Sequence, residues 1–66
     1  MDITVNGEAK RMQSPLTVAE LLAALALESR KIAVERNLEI VPKSRYGETV
    51  LSHGDQIEIV QFVGGG

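Results

Sequence analysis

Glycine is the residue type whose placement suggests chemistry, because three of the six glycines close the sequence as Gly64-Gly65-Gly66. A glycine-rich loop that binds phosphate needs a following helix whose N-terminus receives the anion, and the sequence holds no such segment after these glycines. A tail without side chains can instead enter a narrow active site where any Cβ would clash. The α-carboxyl of Gly66 would be ionised at neutral pH, since its reference pKa is about 3.3–3.7.

An ionised terminal carboxylate is an oxygen nucleophile, and its attack on the α-phosphate of ATP would give an acyl-adenylate. A domain this small has no nucleotide site of its own, so we expect it to be a substrate and carrier for other enzymes. The simpler interpretation, which composition alone favours, is that residues 64–66 form a flexible spacer. The two interpretations differ in whether Gly66 reacts.

The side chains give little support for an active site within the domain. His53 is the single histidine and there is no cysteine, so a histidine pair and a cysteine nucleophile are excluded. Ser52 directly precedes His53 in a predicted turn, and this spacing does not by itself give nucleophile–base geometry. Glu35 and Glu39 are expected on solvated strand faces, and no metal-ligand spacing occurs. We therefore expect no enzyme activity, no metal and no intrinsic cofactor.

The last predicted strand carries apolar residues on both of its faces. Ile57 and Ile59 share one parity and fit a core, whereas Val60 and Phe62 share the opposite parity with Glu58. An exposed apolar patch on a small protein often marks an interaction surface, so Val60 and Phe62 are candidate docking residues. Burial of the strand on both sides, or apolar residues exposed singly, are the alternatives.

Length and composition limit the class of protein. A chain of 66 residues is one small domain, and without cysteine it has neither disulfides nor cysteine-ligated zinc. Acidic and basic residues are mixed along the whole chain and give a net charge of −2, which offers no support for a nucleic-acid partner. The start of the chain does not resemble a signal peptide, and the longest apolar stretch, Leu21 to Leu27, is too short to span a bilayer. We expect a soluble cytoplasmic protein.

The first predicted elements are a β-hairpin. Ile3 and Val5 alternate with polar residues, and Asn6-Gly7 is the sequence that most favours a tight hairpin turn. A returning strand is predicted over 8–13. Its register stays open at this point, because a turn centred one residue later would pair Ile3 with Met12.

A helix follows the hairpin. Thr17 and Glu20 have the spacing of a capping box, in which each side chain binds a free backbone N–H of the first turn. The apolar residues then follow the spacing of one helix face: Val18, Leu21, Leu22 and Leu25. Arg30 and Lys31 are expected near the C-terminal end of this helix, where cations complement its dipole.

The second half of the chain is strand-like. Strands are predicted over 32–36, 39–41 and 56–63, with a polar turn over 43–48 and a short strand or apolar plug over 49–51. One helix over one face of a mixed sheet of about four to five strands is an α+β architecture, and a single helix between strand pairs is the β-grasp arrangement. We expect a β-grasp domain over 1–63 and a flexible glycine tail over 64–66.

The sequence resembles the ThiS family of sulfur carrier proteins of thiamine biosynthesis along essentially its whole length. The most specific part is the run His53-Gly54-Asp55-Gln56-Ile57-Glu58-Ile59-Val60-Gln61-Phe62-Val63 followed by the three glycines. The segments Ile3–Val5, Asn6-Gly7, Thr17–Leu22 and Ala33–Pro42 also fall where that family has them. The terminal Gly-Gly pair alone is shared by ubiquitin-like carriers in general and is less specific.

The resemblance implies a ubiquitin-like β-grasp fold and a defined reaction cycle. A ThiF-like adenylating enzyme would activate the Gly66 carboxylate with ATP and Mg²⁺. Sulfur derived from cysteine through a desulfurase would replace the adenylate, and a ThiG-like thiazole synthase would accept sulfur from the resulting thiocarboxylate. Gly65 is the other half of the family's terminal pair, and Gly64 is an additional glycine of the tail that enters partner active sites. The family's hydrophobic docking surface would map onto Val60 and Phe62.

Three other functions remain open from the sequence. A MoaD-like sulfur carrier for molybdopterin synthase would share the fold and chemistry, although its members are usually longer. A ubiquitin-like conjugation tag would end in an isopeptide bond between Gly66 and a target lysine. A plain interaction domain with a glycine tail would involve no chemistry.

Overall fold

The computed structural model describes residues 1–13 and 15–62. The elements within these ranges are β1 (Asp2–Val5), β2 (Glu8–Arg11), α1 (Val18–Ala24), β3 (Ile32–Arg36), β4 (Glu39–Val41) and β5 (Gln56–Gln61), with 3₁₀ helices at Ser29–Lys31 and Lys43–Arg45. The strands form one five-stranded sheet in the order β2-β1-β5-β3-β4. The pair β1 and β5 is parallel and the other three pairs are antiparallel, so the predicted mixed sheet is confirmed.

The core lies between α1 and one face of the sheet. Strand residues of one parity and the apolar face of α1 form a single cluster, so the prediction of one main helix packed on one sheet face is confirmed within the described residues. The buried apolar residues are Ile3, Val5, Val18, Leu21, Leu22, Ile32, Val34, Val41, Tyr46, Leu51, Ile57 and Ile59. Of the two alternatives predicted for 49–51, the structure shows the apolar plug, with Leu51 in the core. Tyr46 also enters the core, although its segment was predicted only as a polar turn.

The first hairpin turns at Asn6-Gly7, as the sequence predicts. Asn6 has φ 51° and Gly7 has φ 80°, so both central residues have the positive φ of the turn that suits a two-residue hairpin. Val5 therefore pairs with Glu8 and Ile3 with Lys10, and the alternative pairing of Ile3 with Met12 is wrong.

The second hairpin repeats this geometry with a different residue. Asn37 has φ 51° and Leu38 has φ 71°, and the turn joins β3 to β4. Leucine at positive φ is strained, because its Cβ approaches the backbone, whereas glycine at Gly7 is not. Leu38 is 85% exposed, so packing within the described chain does not offset the strain.

Helix α1 begins as predicted and ends early. Glu20 N donates to Thr17 Oγ1 at 3.1 Å and Thr17 N donates to Glu20 Oε1 at 2.8 Å, which completes the capping box. Ala26, with φ 58°, reverses the chain after Ala24, and Leu27 N donates to the carbonyl of Leu22 at 2.9 Å. This is the Schellman ending that glycine usually provides.

Arg30 and Lys31 consequently lie outside α1, and their expected position at its C-terminal end is wrong. They belong to the 3₁₀ helix Ser29–Lys31 that leads into β3. The sequence has alanine where a glycine or asparagine would have marked the helix end, so the boundary carried no local signal.

No helix of residues 1–13 and 15–62 is long and apolar enough to cross a membrane.

Candidate functional site

Strand β5 lies in the middle of the sheet and leads to the last described residue, Phe62. Ile57 and Ile59 are 1% and 9% exposed, whereas Val60 and Phe62 are 59% and 54% exposed. The prediction that these two pairs point to opposite sides of the strand is confirmed. Val60 and Phe62 are thus apolar residues on the surface, and Val63 alone separates Phe62 from the glycine-rich end of the sequence.

Phe62 is tied to the neighbouring segments by two contacts. Its backbone N–H donates to the Lys31 carbonyl at 2.9 Å. The Lys43 Nζ lies 5.4 Å from the centre of its ring, within the range of a cation–π contact, and donates to the Arg30 carbonyl at 3.0 Å. Lys43 therefore links Phe62 to the 3₁₀ helix that precedes β3.

The predicted reactive residues lie outside the described residues. Val63, Gly64, Gly65 and Gly66 follow Phe62 in the sequence, and the predictions that Gly66 is modified and that 64–66 form a flexible tail stay predictions. Covalent geometry alone limits four residues to a span of roughly 14 Å. A partner that uses Gly66 must therefore approach the surface around Phe62.

Several exposed or half-buried residues share the sheet face that carries Val60. We call this set the outer face; it consists of Ala33, Glu35, Ile40, Glu58, Val60 and Phe62. Ala33 is directly opposite Val60, and Glu35 lies between Glu58 on β5 and Ile40 on β4. Ile40 is 74% exposed, so the apolar part of the outer face extends beyond the two residues that the sequence singled out.

The juxtaposition across β3 was not foreseen from the sequence. Glu58 and Glu35 are 23 positions apart, and only the β3–β5 register shows that they face each other. Ile40 has the parity opposite to that of buried Val41, which indicates an exposed position. In a strand of only three residues, this alternation was too short to support a prediction.

The opposite end of β5 is a buried polar cluster around Asp55, which is 6% exposed. Its Oδ2 accepts hydrogen bonds from Arg36 Nε and Ser52 N, both at 2.8 Å, and its Oδ1 accepts one from Asn37 Nδ2 at 3.0 Å. Burial raises the pKa of Asp55, but the hydrogen bonds from Ser52, Asn37 and Arg36 outweigh it and hold the pKa below its ordinary value.

The hydrogen bonds of this cluster join two loops, so the role of the cluster is structural. Asn37 Oδ1 also accepts a hydrogen bond from Gln56 N at 2.9 Å, so the Asn37 side chain fixes the second hairpin to the start of β5. All of the Asp55 oxygens' partners are groups of the chain itself. The cluster offers no free group for chemistry.

The remaining candidate side chains do not assemble into a catalytic site within the described residues. His53 Nδ1 accepts a hydrogen bond from Asp2 N at 3.0 Å, and Ser52 Oγ accepts one from Arg36 at 3.4 Å. Glu35 and Glu39 occupy opposite strand parities, on neighbouring strands. Residues 1–13 and 15–62 contain no group of three or more acidic, histidine or cysteine residues that could hold a metal ion.

Comparison with known proteins places these features in a family. Residues 3–66 match the model of the ThiS family. The sulfur carrier protein ThiS of Bacillus subtilis is 46% identical over 65 residues, which cover 97% of this chain and 98% of that protein. The sulfur carrier protein ThiS of Escherichia coli is 33% identical over the whole length of both chains.

A longer relative has a different name. A thiazole synthase of Paramagnetospirillum magneticum is 52% identical over all 66 residues of this chain, which make up 20% of that protein. This chain therefore spans about one fifth of that relative's length. Another thiazole synthase, from Magnetococcus marinus, is matched in the same proportion.

The structural comparison identifies the fold. A crystal structure of the thiamine biosynthesis protein ThiS from Geobacter metallireducens superimposes with a TM-score of 0.86 at 35% sequence identity, and the match covers both chains completely. The predicted ubiquitin-like β-grasp fold is thereby confirmed.

Proposed function

The chain belongs to the ThiS family of sulfur carrier proteins, and from this we propose that it carries sulfur as a thiocarboxylate on Gly66 for thiazole formation. The observation that carries the proposal is the position of Val60 and Phe62. They expose an apolar surface at the end of β5, and only Val63 separates Phe62 from the three glycines in the sequence. A docking surface is thus followed, after Val63 alone, by the glycines that carry the reacting group.

The first step is adenylation by a ThiF-like enzyme. A carboxylate oxygen of Gly66 attacks the α-phosphorus of ATP, pyrophosphate leaves, and the product is a Gly66 acyl-adenylate. Mg²⁺ bound by that enzyme neutralises the phosphate charge. The step converts an unreactive carboxylate into an electrophile whose leaving group is AMP.

The second step replaces oxygen by sulfur. The terminal sulfur of a persulfide, formed by a cysteine desulfurase, attacks the acyl carbon and AMP leaves. A thiolate then attacks the desulfurase sulfur of the resulting acyl disulfide. The S–S bond breaks, a new disulfide joins the thiol to the desulfurase, and a thiocarboxylate remains on Gly66. Because the sulfur is bound at the main-chain terminus, the chain needs no cysteine to carry it, and its sequence contains none.

The glycines have a steric role in this scheme. An acyl carbon must reach the reacting phosphorus inside an enclosed site, where a Cβ on the preceding residues would contact the walls. Gly65 and Gly64 supply a chain of minimum cross-section behind Gly66. In this scheme the described domain provides the surface that docks on the partners, and the partners provide the catalytic groups.

The acceptor of sulfur is a ThiG-like thiazole synthase. Two relatives named thiazole synthase contain a segment that matches the whole of this chain within a much longer polypeptide. Those names support thiazole formation over molybdopterin synthesis or protein conjugation as the use of the thiocarboxylate.

ATP–pyrophosphate exchange with the ThiF-like enzyme of the same organism tests the adenylation step. Deletion of Gly66, or Gly65→Leu, is expected to abolish the exchange, because the acyl carbon is lost or held out of reach. Thermal unfolding of both variants is expected to match that of the original chain. Exchange at an undiminished rate would refute the role of Gly66, and loss of folding would make the glycines structural.

The mass of the protein isolated from its host is the necessary control. Adenylation requires a free carboxylate on Gly66, so the isolated chain is expected to end at that residue.

A further inference from the structure

Two glutamates of like charge are paired across neighbouring strands in the middle of the outer face. Glu35 on β3 and Glu58 on β5 are direct partners in the antiparallel register. Residues paired in this way have Cβ atoms about 4.5–5.5 Å apart, and like charges at that position destabilise a sheet. Glu58 is exposed and Glu35 is half-buried between its two neighbouring strands, so the repulsion is only partly screened by water.

The ion pairs of the described residues leave this repulsion unrelieved. All seven Lys and Arg residues of the sequence lie in the described ranges. The ion pairs that they form reach other carboxylates, including those of Glu8, Asp2, Glu28, Asp55 and Glu48. No ion pair among residues 1–13 and 15–62 includes Glu35 or Glu58.

Apolar side chains flank the two carboxylates on the same face. Ile40 is the cross-strand neighbour of Glu35 on β4, and Val60 follows Glu58 by two positions on β5. Both apolar residues are more than half exposed, at 74% and 59%. A partner that covers the outer face therefore removes water from the carboxylates while it buries apolar surface.

We propose that the thiazole synthase partner docks on the outer face and inserts an arginine side chain between Glu35 and Glu58. The inference rests on the proposed function for the identity of the partner, and it adds the residues that select that partner. A planar guanidinium has five donors and can bind two carboxylates at once, which the point charge of a lysine does less well. The apolar rim around the pair supplies the low-dielectric surroundings in which such a contact strengthens.

Other occupants fit the face less well. Two carboxylates on a flat strand pair provide too few oxygen ligands for a calcium or magnesium ion, which takes six or more. An anionic membrane surface would be repelled by the carboxylates. A second copy of this chain would bring the same negative pair against itself if the outer faces met symmetrically.

The built-in repulsion gives the proposal an unusual signature. Removing one charge should stabilise the free chain, because the cross-strand repulsion disappears. The same change should weaken the complex, because the arginine loses one carboxylate. Substitution of a residue with a merely structural role would lower both the stability of the free chain and its affinity for the partner.

The test compares Glu35→Gln and Glu58→Gln with Glu39→Gln as the matched control. Glu39 is an exposed glutamate on β4 beside Ile40, its strand parity is opposite, and it forms no ion pair in the described residues. Calorimetric titration of the full chain into the thiazole synthase of the same organism gives Kd, and thermal unfolding gives Tm. We expect Kd to rise roughly tenfold for each test variant, the effect of one charge-assisted hydrogen bond. We expect Tm to rise, and Glu39→Gln to leave Kd unchanged.

The outcomes that overturn the inference are distinct from those that overturn the proposed function. Unchanged Kd in both test variants, or an equal rise in Glu39→Gln, would show that the pair does not select the partner. Sedimentation of the free chain as a dimer that Glu58→Gln strengthens would make a second copy the occupant. If the original chain gains sulfur on Gly66 and these results are found, only the docking inference fails. If it gains no sulfur and binds no synthase, the proposed function fails and the inference with it.

Discussion

Ile57 and Ile59 project from β5 into the core, while Val60 on the same strand and Phe62 just after it project into solvent, with more than half of each residue exposed. One strand of six residues thus separates the part of the molecule that determines stability from the part available to a partner. The inner residues are held by packing on all sides. The outer residues pack against little of the described chain, and Phe62 contacts Lys43 only at the surface, so the fold gains little from them. The difference indicates that substitutions on the two sides should affect different measurements.

The largest expected effect on stability is that of Ile57→Ala. Ile57 is 1% exposed, and its truncation leaves a cavity between α1 and the sheet. We expect a loss of about 2–5 kcal/mol in the free energy of unfolding, which is a large fraction of the stability of so small a domain. Urea unfolding measures it. A loss below about 1 kcal/mol would show that the inner side of β5 is not a packed core.

Asp55→Asn tests the polar cluster at the start of the same strand. The amide retains one acceptor where the carboxylate accepts three hydrogen bonds, and we expect a loss of about 2 kcal/mol at neutral pH. Because the pKa of Asp55 is lower in the folded chain than in the unfolded one, its contribution is present above the unfolded pKa near 3.9 and is lost as the pH falls through the folded value.

The acid dependence provides the control for that substitution. Between pH 5 and pH 2, roughly the window in which such a carboxyl titrates, the free energy of unfolding of the original chain is expected to fall more steeply than that of Asp55→Asn. Parallel curves would mean that titration of the Asp55 carboxylate does not contribute to the pH dependence of stability. Neutral hydrogen bonds could then replace those of the carboxylate.

The smallest expected effect on stability is that of the outer residues. Val60→Ala should change the free energy of unfolding by less than about 0.5 kcal/mol and Phe62→Ala by at most about 1 kcal/mol, since little apolar surface is released. The Phe62 substitution also removes the ring beside Lys43, a contact of about 0.5 kcal/mol when exposed.

Substitution of Val60 and Phe62 is expected to impair function while it changes stability little. KM for the chain in ATP–pyrophosphate exchange should rise at least about tenfold in the Val60→Ala/Phe62→Ala double variant, because the apolar docking contact is lost. An unchanged KM would place the docking surface elsewhere and remove the distinction between the two sides of β5.

Local signals in the sequence were sufficient wherever a structural feature depends on neighbouring residues. Thr17 and Glu20 predict the helix start, Asn6-Gly7 predicts the first turn, and the parity of Val60 and Phe62 predicts their exposure. In each case the energetic cause lies within a few residues. Hydrogen bonds of the capping box, positive φ at the turn and alternation along a strand are all local.

The features that were missed depend on strain or on distant partners. Ala26 and Leu38 have positive φ without being glycine or asparagine, so the end of α1 had no marker. The second turn was located correctly by the predicted strands 32–36 and 39–41, but nothing marked the conformation of Leu38 within it. The contact of Lys43 with Phe62 and the pairing of Glu35 with Glu58 require the tertiary register of separate segments. Sequence separation hides such contacts, because alternation fixes the face of a residue and leaves its cross-strand neighbour undetermined.

Gly66 illustrates a third case. The prediction of its reactivity came from the absence of side chains at the end of the sequence and from the family resemblance. Membership of the ThiS family supports the prediction, and the chemistry still has to be observed at the residue itself.

Intact mass spectrometry tests the central claim most directly. The purified chain is incubated with ATP, Mg²⁺, the ThiF-like enzyme of the same organism and sulfide, and fragmentation locates any change. We predict a mass gain equal to sulfur minus oxygen, confined to Gly66 and absent when ATP is omitted. An unmodified Gly66, with an enzyme shown to be active on another ThiS protein, would contradict the account.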